Sequence, residues 1–299
     1  GPVPSRRLGF SLGVDLVVPK TCTLDCVYCE LGETTDKTVR RASYVNVEGV
    51  FEEVRARLAE QPKVDFVTIS GSGEPTLNAD LGRFIEGIRG MTSTPIAVLT
   101  NGTLMTDPDV RAALALADVV VPSLDAASPE AFNSINRPDP SLDLAEIITA
   151  MEQFSSEFSG EIWLEIVFVK GVNDTPHEIA LIREAIERIR PSRVQLNTVV
   201  RPPACAGVLP VERERLEEIA RELGSKAEVI APPTVEGQRR ADDAESVILA
   251  MGARRPVTVN DVADAIGVSR PEAAKILGAL LDKGSITVVR HGEKLYYRA

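Results

Sequence analysis

Two hydrophobic rhythms alternate along most of this chain. Short apolar runs rich in β-branched residues fall at Val14–Val18, Phe66–Ile69, Ile96–Leu99, Val119–Val121, Ile162–Val169 and Val194–Val200. Runs of that length and composition predict buried strands. Between them apolar positions recur every three to four residues, which predicts helices over Val47–Ala59, Leu81–Arg89, Asp109–Ala115, Leu142–Phe158, Pro176–Ile189 and Val211–Leu223. Strands separated by single helices read as βαβ units, so an α/β fold on a parallel sheet is expected. On such sheets ligands collect at the carboxyl ends of the strands.

The pattern changes near residue 232, and residues 233–242 read as a linker between a large domain (1–232) and a small one (243–299). Helices are predicted over Glu245–Met251, Thr258–Ile266 and Arg270–Lys283, the last with Ser269 as N-cap and Pro271 in its first turn. A hairpin of Ser285–Arg290 and Lys294–Arg298 follows. This order resembles a winged helix-turn-helix. Its eight Lys and Arg stand against seven Asp and Glu, thin for neutralising phosphates. As its partner, a protein, a peptide or a second copy ranks ahead of RNA, and RNA ahead of DNA.

Composition narrows the classes. The net charge of −11 argues against a broad electrostatic grip on nucleic acid. No apolar run approaches a membrane span and no signal peptide opens the chain, so no membrane partner is expected. Three of the four cysteines fall between positions 22 and 29, which reads as metal ligation in a reducing, cytoplasmic compartment.

Those three are Cys22, Cys26 and Cys29, in a CxxxCxxC loop. A four-iron cube in its structural form takes four thiolates. A loop that supplies three leaves one iron for something other than protein. A structural zinc site would want a fourth Cys or His nearby, whereas Cys205, His177 and His291 lie far along the chain. A disulfide with a spare thiol is the remaining alternative. The loop, with Tyr28 before its third cysteine, resembles that of the radical S-adenosylmethionine (radical SAM) superfamily. The resemblance implies an open (β/α)6 partial TIM barrel. It also implies a [4Fe-4S] cluster held by the three cysteines, and SAM chelated to the fourth iron. The activity implied is reductive cleavage of SAM to a 5′-deoxyadenosyl radical that abstracts hydrogen from a substrate. A donor such as flavodoxin or ferredoxin would supply the electron.

Other candidates follow the strands. After the second comes Gly71-Ser72-Gly73-Glu74, whose last two residues match the superfamily's Gly-Gly-Glu element, implied to receive the amine of SAM. After the third and fourth come Thr100 with Asn101 and Ser123 with Asp125, implied SAM or substrate contacts; their plainer reading is turn and cap chemistry. Glu165 interrupts an apolar strand, and Gln195 and Asn197 share one strand face. Buried polar groups need partners, which a ligand or the protein itself would provide. Arg201, past the sixth strand, would hold an acidic substrate group or the SAM carboxylate. Arg6 and Arg7 would face substrate or pair with acidic neighbours. A thiol at Cys205 would donate a hydrogen atom, ligate substrate or form a covalent intermediate, the plainer reading being an incidental loop residue.

Together with Gly1–Gly9, Ile135–Pro138 and Lys170–Asp174, these segments resemble the wyosine-synthase-like group of radical SAM proteins over residues 1–232. Wyosine synthases carry a second cluster, and here no cysteine precedes Cys22. That departure speaks against tricyclic tRNA-base synthesis. Two classes of function remain: a radical SAM enzyme, including a glycyl-radical or other protein-activating or protein-modifying enzyme or a tRNA-modifying enzyme, and an iron–sulfur redox-responsive regulator acting through the small domain. A regulator has no need of the polar rim.

Overall fold

The computed structural model describes residues 2–5, 7–60, 63–230, 244–268, 270–292 and 294–299. Strand β1 (Val3–Ser5) folds back antiparallel on β2 (Gly9–Val14). The cysteine loop follows, tied at its base by the short pair β3 (Thr21–Cys22) and β4 (Asp36–Lys37). The alternation then runs α1 (Val47–Ala59), β5 (Phe66–Ile69), α2 (Leu81–Arg89), β6 (Ile96–Thr100), α3 (Pro108–Leu114), β7 (Val119–Pro122), α4 (Pro129–Ile135), α5 (Leu144–Glu157), β8 (Glu161–Phe168), α6 (Pro176–Ile189), β9 (Arg193–Thr198), α7 (Arg213–Leu223) and β10 (Ala227–Val229). The sheet order is β1-β2-β5-β6-β7-β8-β9-β10, with the seven strands from β2 onward parallel.

Alternation along each strand splits the residues between two faces. Val67, Ile69, Val98, Leu164, Ile166 and Leu196 pack outward against helical Phe84, Ile88, Phe154 and Ile182 in one large core. The inner face is divided. Toward its amino end Leu8, Ala97, Val119, Val121 and Trp163 form an apolar floor. Nearer the carboxyl ends Glu165, Gln195 and Asn197 are buried. The interior is therefore apolar at one end and polar at the other, as a ligand chamber requires.

The first parallel strand is Gly9–Val14 rather than the expected Val14–Val18. Leu16 and Val17 are buried, but as loop residues packed into the core. The true strand hides from a hydrophobicity pattern because its inward residues are polar or absent: Ser11 donates to Thr68 Oγ1 at 2.5 Å, and a side chain on Gly13 would meet open space. The parallel sheet has seven strands, not six, because three-residue β10 is too short to announce itself. Helix α4 carries no prediction from the pattern; it starts at the cap Ser128, whose Oγ accepts from Ala131 N at 3.2 Å.

Beyond residue 243 come α8 (Ala244–Arg254), α9 (Val259–Ile266), α10 (Arg270–Asp282) and the hairpin β11 (Thr287–His291) with β12 (Lys294–Arg298). Ile248, Val257, Val262, Ile266, Leu277, Leu280 and Tyr297 give this unit a core of its own. Thr258 and Asp261 form a reciprocal capping box at the start of α9. The unit meets the rest of the chain at the strand mouths. Tyr296 donates its hydroxyl to the Val200 carbonyl, and Arg298 reaches the Leu31 carbonyl at 3.2 Å. The linker expected over 233–242, the cap at Ser269 and the residue Arg6 lie outside the described residues. Among the described residues no helix is long and apolar enough to cross a membrane.

Candidate active site

The loop carrying Cys22, Cys26 and Cys29 lies past the carboxyl end of β2 and is bound to the next loop by backbone contacts. Lys20 N donates to Ser72 O at 2.6 Å, and Glu74 N to Thr21 O at 3.1 Å. A Cβ on Gly73 would come within 1.9 Å of the Thr21 carbonyl oxygen, and one on Gly71 within 2.1 Å of the Asp15 carboxylate. Only glycine permits such approach. Asp15 in turn accepts from Ser72 N at 3.0 Å and Ser72 Oγ at 2.6 Å. Gly73→Ala is expected to push the two loops apart and to lower iron uptake on anaerobic reconstitution several-fold, read as bound iron per chain.

Glu74 is buried, and its carboxylate organises the rim. Oε1 accepts from Thr76 N, Thr76 Oγ1 and Thr100 Oγ1 at 3.0, 2.6 and 2.6 Å, while Oε2 accepts from Asn101 N at 2.6 Å. Burial pushes its pKa up, and these donors oppose the shift. Both groups expected to touch SAM at the end of β6 therefore also have protein partners: Thr100 holds Glu74, and Asn101 turns toward the cysteine loop.

All three clustered thiols have a side-chain donor. Asn101 Nδ2 lies 3.5 Å from Cys22 Sγ, Asn136 Nδ2 lies 3.4 Å from Cys26 Sγ, and Lys20 Nζ lies 3.7 Å from Cys29 Sγ. The amide orientations are settled by their other partners. Asn101 also donates to Thr23 Oγ1 at 2.8 Å and accepts from Thr103 Oγ1 at 2.7 Å. Asn136 donates to Asp125 Oδ2 at 2.7 Å. Asp125 accepts from the Tyr28 hydroxyl and from Val167 N as well, the latter at 2.8 Å. Tyr28, Asp125, Asn136 and Cys26 thus form one connected network across a cavity of about 40 Å³ that Ser123 also lines. Burial raises Asp125 to about 6 and the Cys22 thiol to about 12, and pushes Cys26 upward too. Without iron these thiols are held protonated.

Further along the inner face, Glu165 pairs with Arg7 and accepts from Asn197 Nδ2 at 3.2 Å. Gln195 donates to Glu228 at 3.3 Å, and its Oε1 is buried without a partner among the described residues. Arg201, expected to reach a ligand, is instead bound by two carboxylates, Glu30 at 3.0 Å and Asp261 at 3.2 Å. Glu30 directly follows Cys29. Cys205 lies against the same loop, its amide donating to the Val27 carbonyl at 3.0 Å.

Do these residues fit a [4Fe-4S] cluster? All four cysteines are free thiols. Among the described residues no three His, Cys, Asp or Glu side chains are arranged around a single metal ion. A cube asks for something wider, since each thiolate binds a different iron. Three thiols on one loop, each beside a hydrogen-bond donor, suit such a group.

Fold and site together define a class. A family model for the radical SAM superfamily matches residues 16–182, and the chain belongs to that superfamily. It is a radical SAM enzyme, and the superfamily's cofactors are SAM and a [4Fe-4S] cluster. Over 304 residues it is 30% identical to a UPF0026 protein of Methanocaldococcus jannaschii, covering 99% of this chain and 94% of that one. It is 32% identical to a protein of Brachyspira hyodysenteriae named GTPase Obg, covering 96% of this chain but spanning only 43% of that protein's length. A radical SAM methyltransferase structure from Sphaerobacter thermophilus shares the fold, with a TM-score of 0.57 at 21% identity, covering 73% of this chain and 65% of the other.

Asn136 and Lys20 were not among the expected site residues. Asn136 had a signal, since it sits in the Ile135–Pro138 segment singled out for its resemblance. Lys20 had none in the pattern: its backbone adopts a φ of +69°, which no local sequence rule would assign to lysine.

Proposed function

We propose that Cys22, Cys26 and Cys29 would hold three irons of a [4Fe-4S] cluster, and that Gly71–Glu74 with the residues at the ends of β6 and β7 would hold SAM beside it. The observation that carries this reading is the pairing of the cysteine loop with the Gly73-Glu74 loop at the carboxyl edge of the sheet. Bound there, the cluster and SAM would supply reductive SAM cleavage and the radical chemistry for hydrogen abstraction. The chain's own residues do the rest. Glu74 holds the rim, its Oε2 retaining lone-pair capacity for an ammonium. Asp125 and Asn136 hold the middle of the cysteine loop through Tyr28 and Cys26. Arg7, Glu165, Gln195 and Asn197 line the remaining inner face, where a polar substrate would find donors and acceptors. Cys205 stands next to the cysteine loop, where its thiol is a candidate hydrogen-atom donor or substrate ligand.

The unit beyond residue 243 is read as a winged helix that positions a protein or peptide substrate at the mouth, with RNA and then DNA as lesser partners. A flavodoxin- or ferredoxin-type protein is the proposed electron donor, and the cytoplasm the proposed compartment. The resemblance over 1–232 favours the wyosine-synthase-like group. An iron–sulfur regulator is the contrasting reading, and the SAM-facing loop weighs against it.

The test is anaerobic. Reconstituted protein with SAM and dithionite is expected to release 5′-deoxyadenosine, measured by mass spectrometry, and Cys26→Ala is expected to abolish it. A fully loaded, reducible cluster that neither cleaves nor binds SAM would favour the regulator.

A further inference from the structure

Three thiols and three donors are matched one to one, and the donors come from three separate places in the fold. Lys20 precedes the cysteine loop, Asn101 follows β6, and Asn136 follows α4. None of the three is adjacent in sequence to the cysteine it serves, so tertiary structure has brought each one there. We propose that Lys20, Asn101 and Asn136 are positioning residues that each donate a hydrogen bond to one cluster thiolate, and that together they raise the cluster's reduction potential. The inference rests on the reading that these cysteines hold the cluster.

The physical argument concerns charge. One-electron reduction adds a negative charge that spreads onto the sulfur ligands. An N–H directed at a thiolate stabilises the more negative state, and hydrogen bonds to sulfur are a recognised control on cluster potential. A cation does so more strongly than a neutral amide. The three thiols are half-buried, with the buried carboxylates Glu74 and Asp125 close by, and both carboxylates oppose further negative charge. A cluster in that setting, without donors, would be hard to reduce. The amides are also held in the required sense. Asn136 offers one N–H to Asp125 at 2.7 Å and the other to Cys26 at 3.4 Å, and both acceptors demand the NH₂ end. Lys20 Nζ is anchored by the Gly32 carbonyl beside Cys29.

The test is a potentiometric titration of the reconstituted protein, followed by the electron paramagnetic resonance (EPR) signal of the reduced cluster. Lys20→Met and Asn136→Ala should each shift the reduction equilibrium about tenfold toward the oxidised form, which for one electron is about 59 mV. Lys20→Arg should restore most of the shift. Variants that load a full complement of iron and titrate with the wild type would overturn the proposal. A wild-type protein that takes up no cluster would overturn the reading beneath it, and this is seen at the reconstitution step. Should the variants fail to load, wild-type protein labelled with 15N-asparagine decides. Pulsed EPR of its reduced cluster should show an asparagine nitrogen coupling, and absence of that coupling would overturn the proposal.

Discussion

Glu74→Ala is expected to destabilise the protein by about 4 kcal/mol or more, the cost of removing the shared acceptor of four buried donors. The reason lies in what the carboxylate holds. Thr76 N, Thr76 Oγ1, Thr100 Oγ1 and Asn101 N all point at it within 2.6–3.0 Å. Alanine would leave all four donors facing a cavity, and each buried unpaired donor costs about 1–3 kcal/mol. Glu74→Gln should fall between, because its amide oxygen still accepts while its amide nitrogen, a donor, would face a donor. Urea unfolding of the unreconstituted proteins measures this without any cofactor. If Glu74→Ala unfolded at the wild-type midpoint while losing SAM binding, the residue would be a ligand group only, and its structural role would be refuted.

The second large effect is expected at Arg201. Its guanidinium is 8% exposed and joins Glu30 of the cysteine loop to Asp261 of α9. Arg201→Met would leave two partly buried carboxylates near each other, with Arg255 at 3.9 Å from Glu30 as one neighbouring cation. Glu30 and Asp261 keep some solvent, so the lower end of the range applies, about 3 kcal/mol. The loss should appear first at the contact between the two units, as faster proteolysis after residue 230. Adding Asp261→Asn to Arg201→Met should recover part of the loss, since the two positions share one network and their effects cannot add. Strict additivity in that double-mutant cycle would show that the pair does not couple the units.

Much of this was legible in advance, for identifiable reasons. Helix α1 matched its predicted span because its apolar positions obey the helical period. The cysteine loop was legible because its spacing is itself the chemistry. What escaped depended on contacts distant in sequence. Asn136 serves Cys26 from 110 residues away. Arg201 looked like a free cation at a loop entrance, because the carboxylates that claim it lie 171 residues before it and 60 residues after it. Strand β2 was displaced by a pattern that rewards Leu16 and Val17 for burial and cannot see that Gly13 keeps space open.

The joined cysteine and Gly73-Glu74 loops have one further consequence. Because Thr21 and Ser72 lend their carbonyls to the opposite loop, neither loop can be ordered without ordering the other. Whatever free energy a ligand on one loop contributes toward that shared order, a ligand on the other receives in equal measure. Iron uptake and SAM binding should therefore be reciprocal. At equilibrium with a chelator, SAM would tighten the hold on iron by the same factor by which the intact cluster tightens SAM.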